Sequence, residues 1–204
     1  MKSIKKIIVN IYLPFLGIIQ RLTLFRNFYL ANVIMLLRRK IIIQQHYPIC
    51  NQLTKITGLG KVIINGKCSF GYKLGGFHRG GMIELQPRFK NAMIKIGNNI
   101  STNNNIFICA ANYIEIGDDT LIGQYVTIMD HEAHCIDPLK RRQIGEIGKV
   151  IVGKNVWIGN NVTILKNSEI GDNSIIAAGA VVSGKFSSNV IIGGVPAKII
   201  KNIQ

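Results

Sequence analysis

Aliphatic residues recur every six positions at Val152, Ile158, Ile164, Ile170, Ile176 and Val182, without a slip. Four of them are followed by Gly or Ala: Gly153, Gly159, Gly171 and Ala177. Four positions after each of the first five comes a small or β-branched residue, at Val156, Val162, Ser168, Ser174 and Ala180. An amphipathic helix repeats near 3.6 residues and a half-buried strand near 2, so neither matches this count as one continuous element. The pattern predicts very short strands, each followed by a sharp corner at which a side chain would be in the way. Self-similarity at a fixed period predicts a stacked solenoid. Three sixes make an 18-residue turn, so the predicted coil is a triangular prism with inward aliphatics stacked in columns. Its flat faces suit side-by-side packing of identical subunits, most simply as a ring of three.

The same count is fainter upstream. It begins at Ile64 and Phe70, breaks at a glycine-rich stretch (Gly75, Gly76, Gly80, Gly81) holding His78 and Arg79, and resumes at Ile96-Gly97. It slips by two residues after Ile108, restarts at Ile116-Gly117, and runs through Ile122-Gly123 and Ile128. The main interruption lies at about 129–150 and contains His131, His134, Asp137, Pro138 and the basic run Lys140-Arg141-Arg142, after which the count returns in phase. Function concentrates in loops held by a rigid scaffold, so this excursion is the expected seat of chemistry. The expected division is a basic amphipathic helical segment and connector over 1–59, then an all-β solenoid domain with a C-terminal tail over 60–204.

Residues 2–45 hold two apolar runs, Ile7–Ile19 and Phe28–Leu37, separated by Arg21 and Arg26 and closed by Arg38-Arg39-Lys40. Neither run reaches the ~20 apolar residues that a membrane-spanning helix needs. Lys2, Lys5 and Lys6 ahead of the first run resemble a secretion signal, but no small-x-small cleavage site follows. Two short helices are expected, apolar on one side and basic on the other. They suit a cap on the solenoid end or a peripheral contact with an anionic membrane through residues 1–45. The basic residues sit among Ile and Leu without stacking aromatics, which argues against nucleic acid.

Charge sharpens this division. The 204 residues carry a net +15, yet residues 1–83 hold 13 Lys/Arg and no acid, a net of +13, while residues 84–204 hold 12 Lys/Arg against 10 acids, a net of +2. The basic character belongs to the front of the molecule. Four cysteines, Cys50, Cys68, Cys109 and Cys135, show no C-x2-C spacing. They read as reduced thiols of a cytoplasmic protein, with Cys68 and Cys109 as small apolar core residues.

The hexad of aliphatic, Gly or Ala, two free positions, a small residue and one more free position is interrupted by a His-bearing loop and closed by Gly193-Gly194-Val195-Pro196-Ala197-Lys198. In that order these features resemble the left-handed β-helix acyltransferases. Most similar are the hexapeptide-repeat O-acetyltransferases that act on galactosides, maltose and bacterial polysaccharides. The resemblance covers about residues 60–201. It implies a left-handed parallel β-helix, against the usual right-handed crossover, a homotrimer, and acetyl-coenzyme A as acyl donor in the groove between neighbouring prisms. It implies a saccharide acceptor and no metal.

Moving an acetyl group from a thioester to a hydroxyl requires a base, donors for the developing oxyanion, and juxtaposition of both substrates. The resemblance puts the catalytic base at His131, with Asp130 or Glu132 as partner of its ring N–H. It leaves His134 to orient His131, touch the acceptor or stand by. Two histidines at i, i+3 also suggest zinc, but the related metal enzymes need a third at another spacing. Asn103 and Asn105 fall where the family sets an asparagine beside the acyl and acceptor groups, and either also suits a solenoid turn. Trp157 is expected to cover the cleft or to contact a neighbouring subunit. Asn160, Ala178, Ser183 and Gly184 are expected along the coenzyme, with Lys198 and Lys201 near its phosphates.

Two departures from the sugar acetyltransferases stand out. The acid they use on the acceptor would fall near Ala110–Ala111, and the long basic N-terminal segment replaces their short helical one. Both favour a larger glycan, such as a lipid-linked surface-glycan precursor at the inner face of the cell membrane. An amino-sugar or antibiotic acceptor is the alternative.

Overall fold

The computed structural model describes Ile18, residues 21–23 and residues 25–203. The first apolar run and Lys2, Lys5 and Lys6 lie outside the described residues, apart from Ile18. Three sheets of seven, eight and six strands form a three-sided prism. Face I begins with Ile41–Ile43 and Lys61–Ile64, face II with Ile49–Cys50 and Cys68–Phe70, and face III with Thr54–Ile56 and Ile83–Pro87. The chain visits the faces in the order I, II, III throughout. Within these three sheets every described strand pairing is parallel except the last, where Val190–Gly194 pairs antiparallel with Ala197–Asn202. That hairpin contains the Gly-Gly-Val-Pro-Ala-Lys segment and closes face II.

The register explains the count of six. Val150 pairs with Ser168, Trp157 with Ile175 and Thr163 with Val181, each 18 positions on. Val152, Ile158, Ile164, Ile170, Ile176 and Val182 are all at most 3% exposed and form the columns of the core. Burying each such side chain contributes roughly 1.5–3 kcal/mol. The small residue after each aliphatic answers to the next coil: a Cβ on Gly159 would lie 2.6 Å from the backbone N of Ala178, and one on Gly171 2.3 Å from that of Ser188. The residue just before the next inward position takes a left-handed φ at Asn155, Asn161, Asn167 and Asn173. Asparagine tolerates that region better than most side chains. Its amide also links coils, as from Asn155 Nδ2 to Asn173 Oδ1 at 2.9 Å.

The prism starts a full coil before residue 60. Ile41–Ile43, Ile49–Cys50 and Thr54–Ile56 pair with the next strand on faces I, II and III, where a helical tail and connector were expected. The hexad is hidden there because several inward residues are polar: Gln52 and Thr54 are buried. A π-helical turn, Phe25–Leu30, and helix α1, Ala31–Leu37, pack on this end through Phe28 and Met35. The buried Asn32 donates to Thr54 O and accepts from Ile56 N, completing the backbone bonds of the open strand. The opposite side of the segment exposes Phe25, Leu30, Val33, Ile34 and Leu37. No helix among the described residues is long and apolar enough to cross a membrane.

Two features set up the site. The slip after Ile108 is a 20-residue coil: Tyr113 pairs with Met93 and Thr127 with Phe107. The surplus falls where face III turns into face I, at the buried Ala110 and Ala111. One coil later the chain leaves face III after Thr127–Met129 and rejoins face I at Lys149–Val152. Across this excursion Leu121 pairs with Trp157, 36 positions on, so it inserts 18 residues and preserves the phase.

Candidate active site

Asp130 is the first residue to leave the prism after Met129, and it lies against the widened corner of the coil before. Its carboxylate accepts the backbone N–H of Ala111 at 2.6 Å, Asn112 at 2.8 Å and Tyr113 at 2.7 Å. Three backbone N–H groups thus share one buried carboxylate, which leaves none of them unsatisfied at this corner. Asp130 Oδ1 also lies 3.0 Å from His131 Nδ1, and both side chains have no solvent exposure. The expected choice between Asp130 and Glu132 therefore falls on Asp130.

The other ring nitrogen identifies the tautomer. His131 Nε2 lies 3.1 Å from Arg88 Nη1. A guanidinium only donates, so Nε2 is the acceptor and the ring proton sits on Nδ1, facing Asp130. A neutral imidazole with its lone pair on Nε2 is the form a general base requires. Arg88 went unnoticed in the sequence. It follows the strand Ile83–Pro87, 43 positions before His131, in no motif. The two-residue slip was the available signal, since the small Ala110 and Ala111 form the corner between them.

The rest of the excursion is an antiparallel ribbon. His131 bridges Ile147, Glu132 N donates to Glu146 O at 2.9 Å, and Cys135 N donates to Gln143 O at 2.8 Å. Asp137 caps a 3-10 turn, Pro138–Lys140, at the tip. Lys166, from the next coil of the same edge, clamps the base of the ribbon through Glu132 at 3.3 Å and through Glu146. The bond from Lys166 holds Glu146 below the usual carboxylate range, and Glu146 raises Lys166 in turn. His134 is exposed, and its Nδ1 donates to Arg141 O at 2.9 Å. Both nitrogens of His131 and one of His134 are thus engaged within the protein. Among the described residues no group of three or more His, Cys, Asp or Glu is placed to hold a metal ion.

The expected site residues fall on two edges of the prism. On the His131 edge, a cleft of about 520 Å³ is lined by Met129, His131, Glu132, Lys166, Ser183 and Gly184 among others. A Cβ added at Gly184 would meet nothing within 4 Å, so this wall is open. Around the turn from face II to face III, a second groove of about 530 Å³ is lined by Tyr72, Asn103, Leu121, Trp157 and Asn160 among others. Trp157 is 55% exposed there, and Ala178 lies one coil beyond Asn160 on the same edge. Both volumes suit a small-molecule ligand. One chain does not bring His131 together with Asn103, Trp157 and Asn160.

Both asparagines make turn contacts. Asn103 Oδ1 accepts from Asn104 N at 2.8 Å. Asn105 has φ +60° and exchanges bonds with Gln52, accepting from Nε2 at 3.1 Å while its backbone N donates to Oε1 at 2.8 Å. Lys198 and Lys201 are exposed on the terminal strand Ala197–Asn202, opposite Gly193 and Ile191.

Comparison with known proteins agrees with this architecture. Residues 149–184 match the model of the bacterial transferase hexapeptide repeat. The chain is 32% identical to an inferred lipopolysaccharide-biosynthesis O-acetyltransferase of Escherichia coli over 55% of its length and 62% of the relative's. It is 37% identical to an inferred acetyltransferase of Dictyostelium discoideum over 61% of its length and 67% of that protein. Among solved structures, a galactoside acetyltransferase in complex with coenzyme A superposes with a TM-score of 0.52 at 35% identity, over 54% of this chain and 56% of that one. The chain spans between 55% and 62% of the two Escherichia coli relatives it matches. The repeat, the three parallel faces and these similarities together fit a left-handed β-helix, and the chain belongs to the hexapeptide-repeat acyltransferase family.

Proposed function

We propose that the protein is an acetyl-coenzyme A-dependent O-acetyltransferase whose acceptor is a sugar hydroxyl of a bacterial surface-glycan precursor. The observation that carries the reading is the buried Asp130–His131 pair, with Nδ1 turned to the carboxylate and Nε2 opposite the guanidinium of Arg88. Nε2 takes the proton of the acceptor hydroxyl as the oxygen attacks the thioester carbonyl. The carbon–sulfur bond then breaks, and the imidazolium returns its proton to the departing thiolate. The ester and the free thiol are the products, and no acyl-enzyme is formed. Asp130 holds the ring in orientation and stabilises the imidazolium while it exists.

The donor's site is the open wall at Ser183 and Gly184 on the His131 edge, with the Trp157, Asn160 and Ala178 edge supplied by a neighbouring subunit. Lys198 and Lys201 lie toward the phosphates. The reading requires a homotrimer, in which a rotation that sets one edge of the prism against another would bring His131 to the groove of Asn103 and Trp157, which one chain leaves apart. The coenzyme-bound galactoside acetyltransferase is the precedent for the donor, and the Escherichia coli relative for the class of acceptor. His134, bonded to Arg141 O within the loop, has no role in proton transfer in this reading.

The N-terminal segment suggests a peripheral contact with an anionic membrane surface. Exposed Phe25, Val33, Ile34 and Leu37 sit near Arg21, Arg26, Arg38 and Arg39. Such a position would suit a lipid-linked acceptor. The test of the whole reading is a panel of saccharide acceptors assayed by release of free thiol from acetyl-coenzyme A. Acetyl esters on glycan hydroxyls are expected, and activity confined to amines would reject it.

A further inference from the structure

The resting geometry poses a problem for a general base. The His131 side chain has no exposed surface, and Nε2, the atom that must accept a proton, is covered by Arg88. A hydroxyl cannot reach Nε2 until the guanidinium leaves.

Among the described residues Arg88 bonds to neutral partners. Its Nε and Nη2 both donate to Gln86 Oε1, at 3.3 and 3.2 Å, and Nη1 donates to His131. No carboxylate lies within ion-pair distance of it among the described residues. The oxygens of Asp130 are committed to three backbone N–H groups and to His131 Nδ1. Glu84 accepts from Thr57 at 2.6 Å. Arg88 is therefore a partly buried cation, poised over the base with no anion beside it among the described residues. A guanidinium bonds a carboxylate or phosphate in a bidentate, charge-assisted manner, roughly twice as strongly as a neutral acceptor.

We propose that Arg88 is a specificity-determining residue that caps His131 Nε2 in the resting protein and is drawn off it by an acceptor carrying a carboxylate or phosphate beside the hydroxyl to be acylated. The inference rests on the assignment of His131 as the base. Arg88 exchanges a neutral imidazole for an anion, the lone pair is uncovered, and the same contact seats the hydroxyl at Nε2. The anion also offsets the repulsion that an imidazolium would meet beside an unpaired guanidinium. A neutral acceptor offers no such exchange and must compete with Arg88 for Nε2. The acceptor class is thus an acidic sugar, such as a uronic acid or a sugar phosphate.

The test is equilibrium binding, which needs no acyl transfer. Methyl glucuronoside and methyl glucoside are titrated calorimetrically into the wild-type protein, Arg88→Gln and Arg88→Lys, with coenzyme A binding as the control for folding. The wild-type protein is expected to bind the glucuronoside at least tenfold more tightly than the glucoside. Arg88→Gln should abolish that difference and Arg88→Lys should retain part of it. Equal affinity of the wild-type protein for both probes, no measurable binding of either, or undiminished preference in Arg88→Gln would each overturn the proposal. Preference for the anion without acetylation would leave this inference standing and reject the transferase reading. Acetylation of both probes with equal affinity would do the reverse.

Discussion

Asp130 and His131 form a pair shut off from solvent, with Oδ1 3.0 Å from Nδ1. The carboxylate that orients the ring is also the one that ties the excursion to the widened corner at Ala111, Asn112 and Tyr113. Catalytic alignment and local stability therefore share one side chain. Asp130→Asn keeps the volume but loses the charge and turns part of the acceptor set into a donor. It should lower kcat by ~10²-fold or more, since a positioned base contributes roughly 10²–10⁴-fold. Leaving buried N–H groups unsatisfied costs about 1–3 kcal/mol each. A fall in both kcat and melting temperature is expected, and an unchanged kcat would detach Asp130 from the chemistry.

The Lys166 clamp predicts a pH window for the order of the loop. Glu146 is depressed by its bond from Lys166, so its contribution is fully present above the unfolded glutamate value of about 4.3. It is lost as pH falls through the lower folded value. Lys166 is raised, so its share is fully present below the unfolded lysine value of about 10.4 and lost as pH rises through the folded one. Amide protection in residues 132–146, corrected for intrinsic exchange, should be constant around neutrality and fall in strong acid. Lys166→Ala should show the low protection at pH 7, and equal protection in that variant would dismiss the clamp.

Thiol reactivity should separate the four cysteines. Burial pushes Cys50 up to about 12 and Cys68 up to about 11, and it raises Cys109 as well. These three are buried, whereas Cys135 lies partly open in the loop. Only the thiolate reacts readily. One thiol per chain should therefore react quickly with a disulfide reagent under native conditions and three only on unfolding, with the fast one mapping to Cys135.

Gly171→Ala tests the corner rule away from the site. The added Cβ would sit 2.3 Å from the backbone N of Ser188, which no rotamer change relieves. Overpacking of this kind costs about 1–3 kcal/mol. The melting temperature should fall by several degrees at fixed protein concentration, with little change in coenzyme affinity.

The legibility of this chain follows from where its core is regular. From Val150 to Val182 the inward residues are aliphatic or small at a constant count, and the prism can be read directly. The first coil was hidden because Gln52 and Thr54 occupy inward positions and are satisfied by bonds that the sequence does not announce, such as Gln52 with Asn105. His131 was visible because it sits where the counting stops. Arg88 was not, since its contact with His131 crosses 43 positions and depends on a corner two residues wider than the rest. Asn103 and Asn105 carried a double meaning: an asparagine at a solenoid corner serves the backbone first, and their contacts within the chain are of that kind. The separation of His131 from Trp157 and Asn160 is a property of the closed prism, which the linear order conceals.

The most direct test of the account is acetyl transfer by His131→Ala, measured by thiol release at saturating acetyl-coenzyme A, with coenzyme affinity measured on the same preparation. A loss of kcat of ~10²–10⁴-fold with unchanged coenzyme affinity is predicted. Activity equal to that of the wild-type protein would contradict the assignment of His131 as the base.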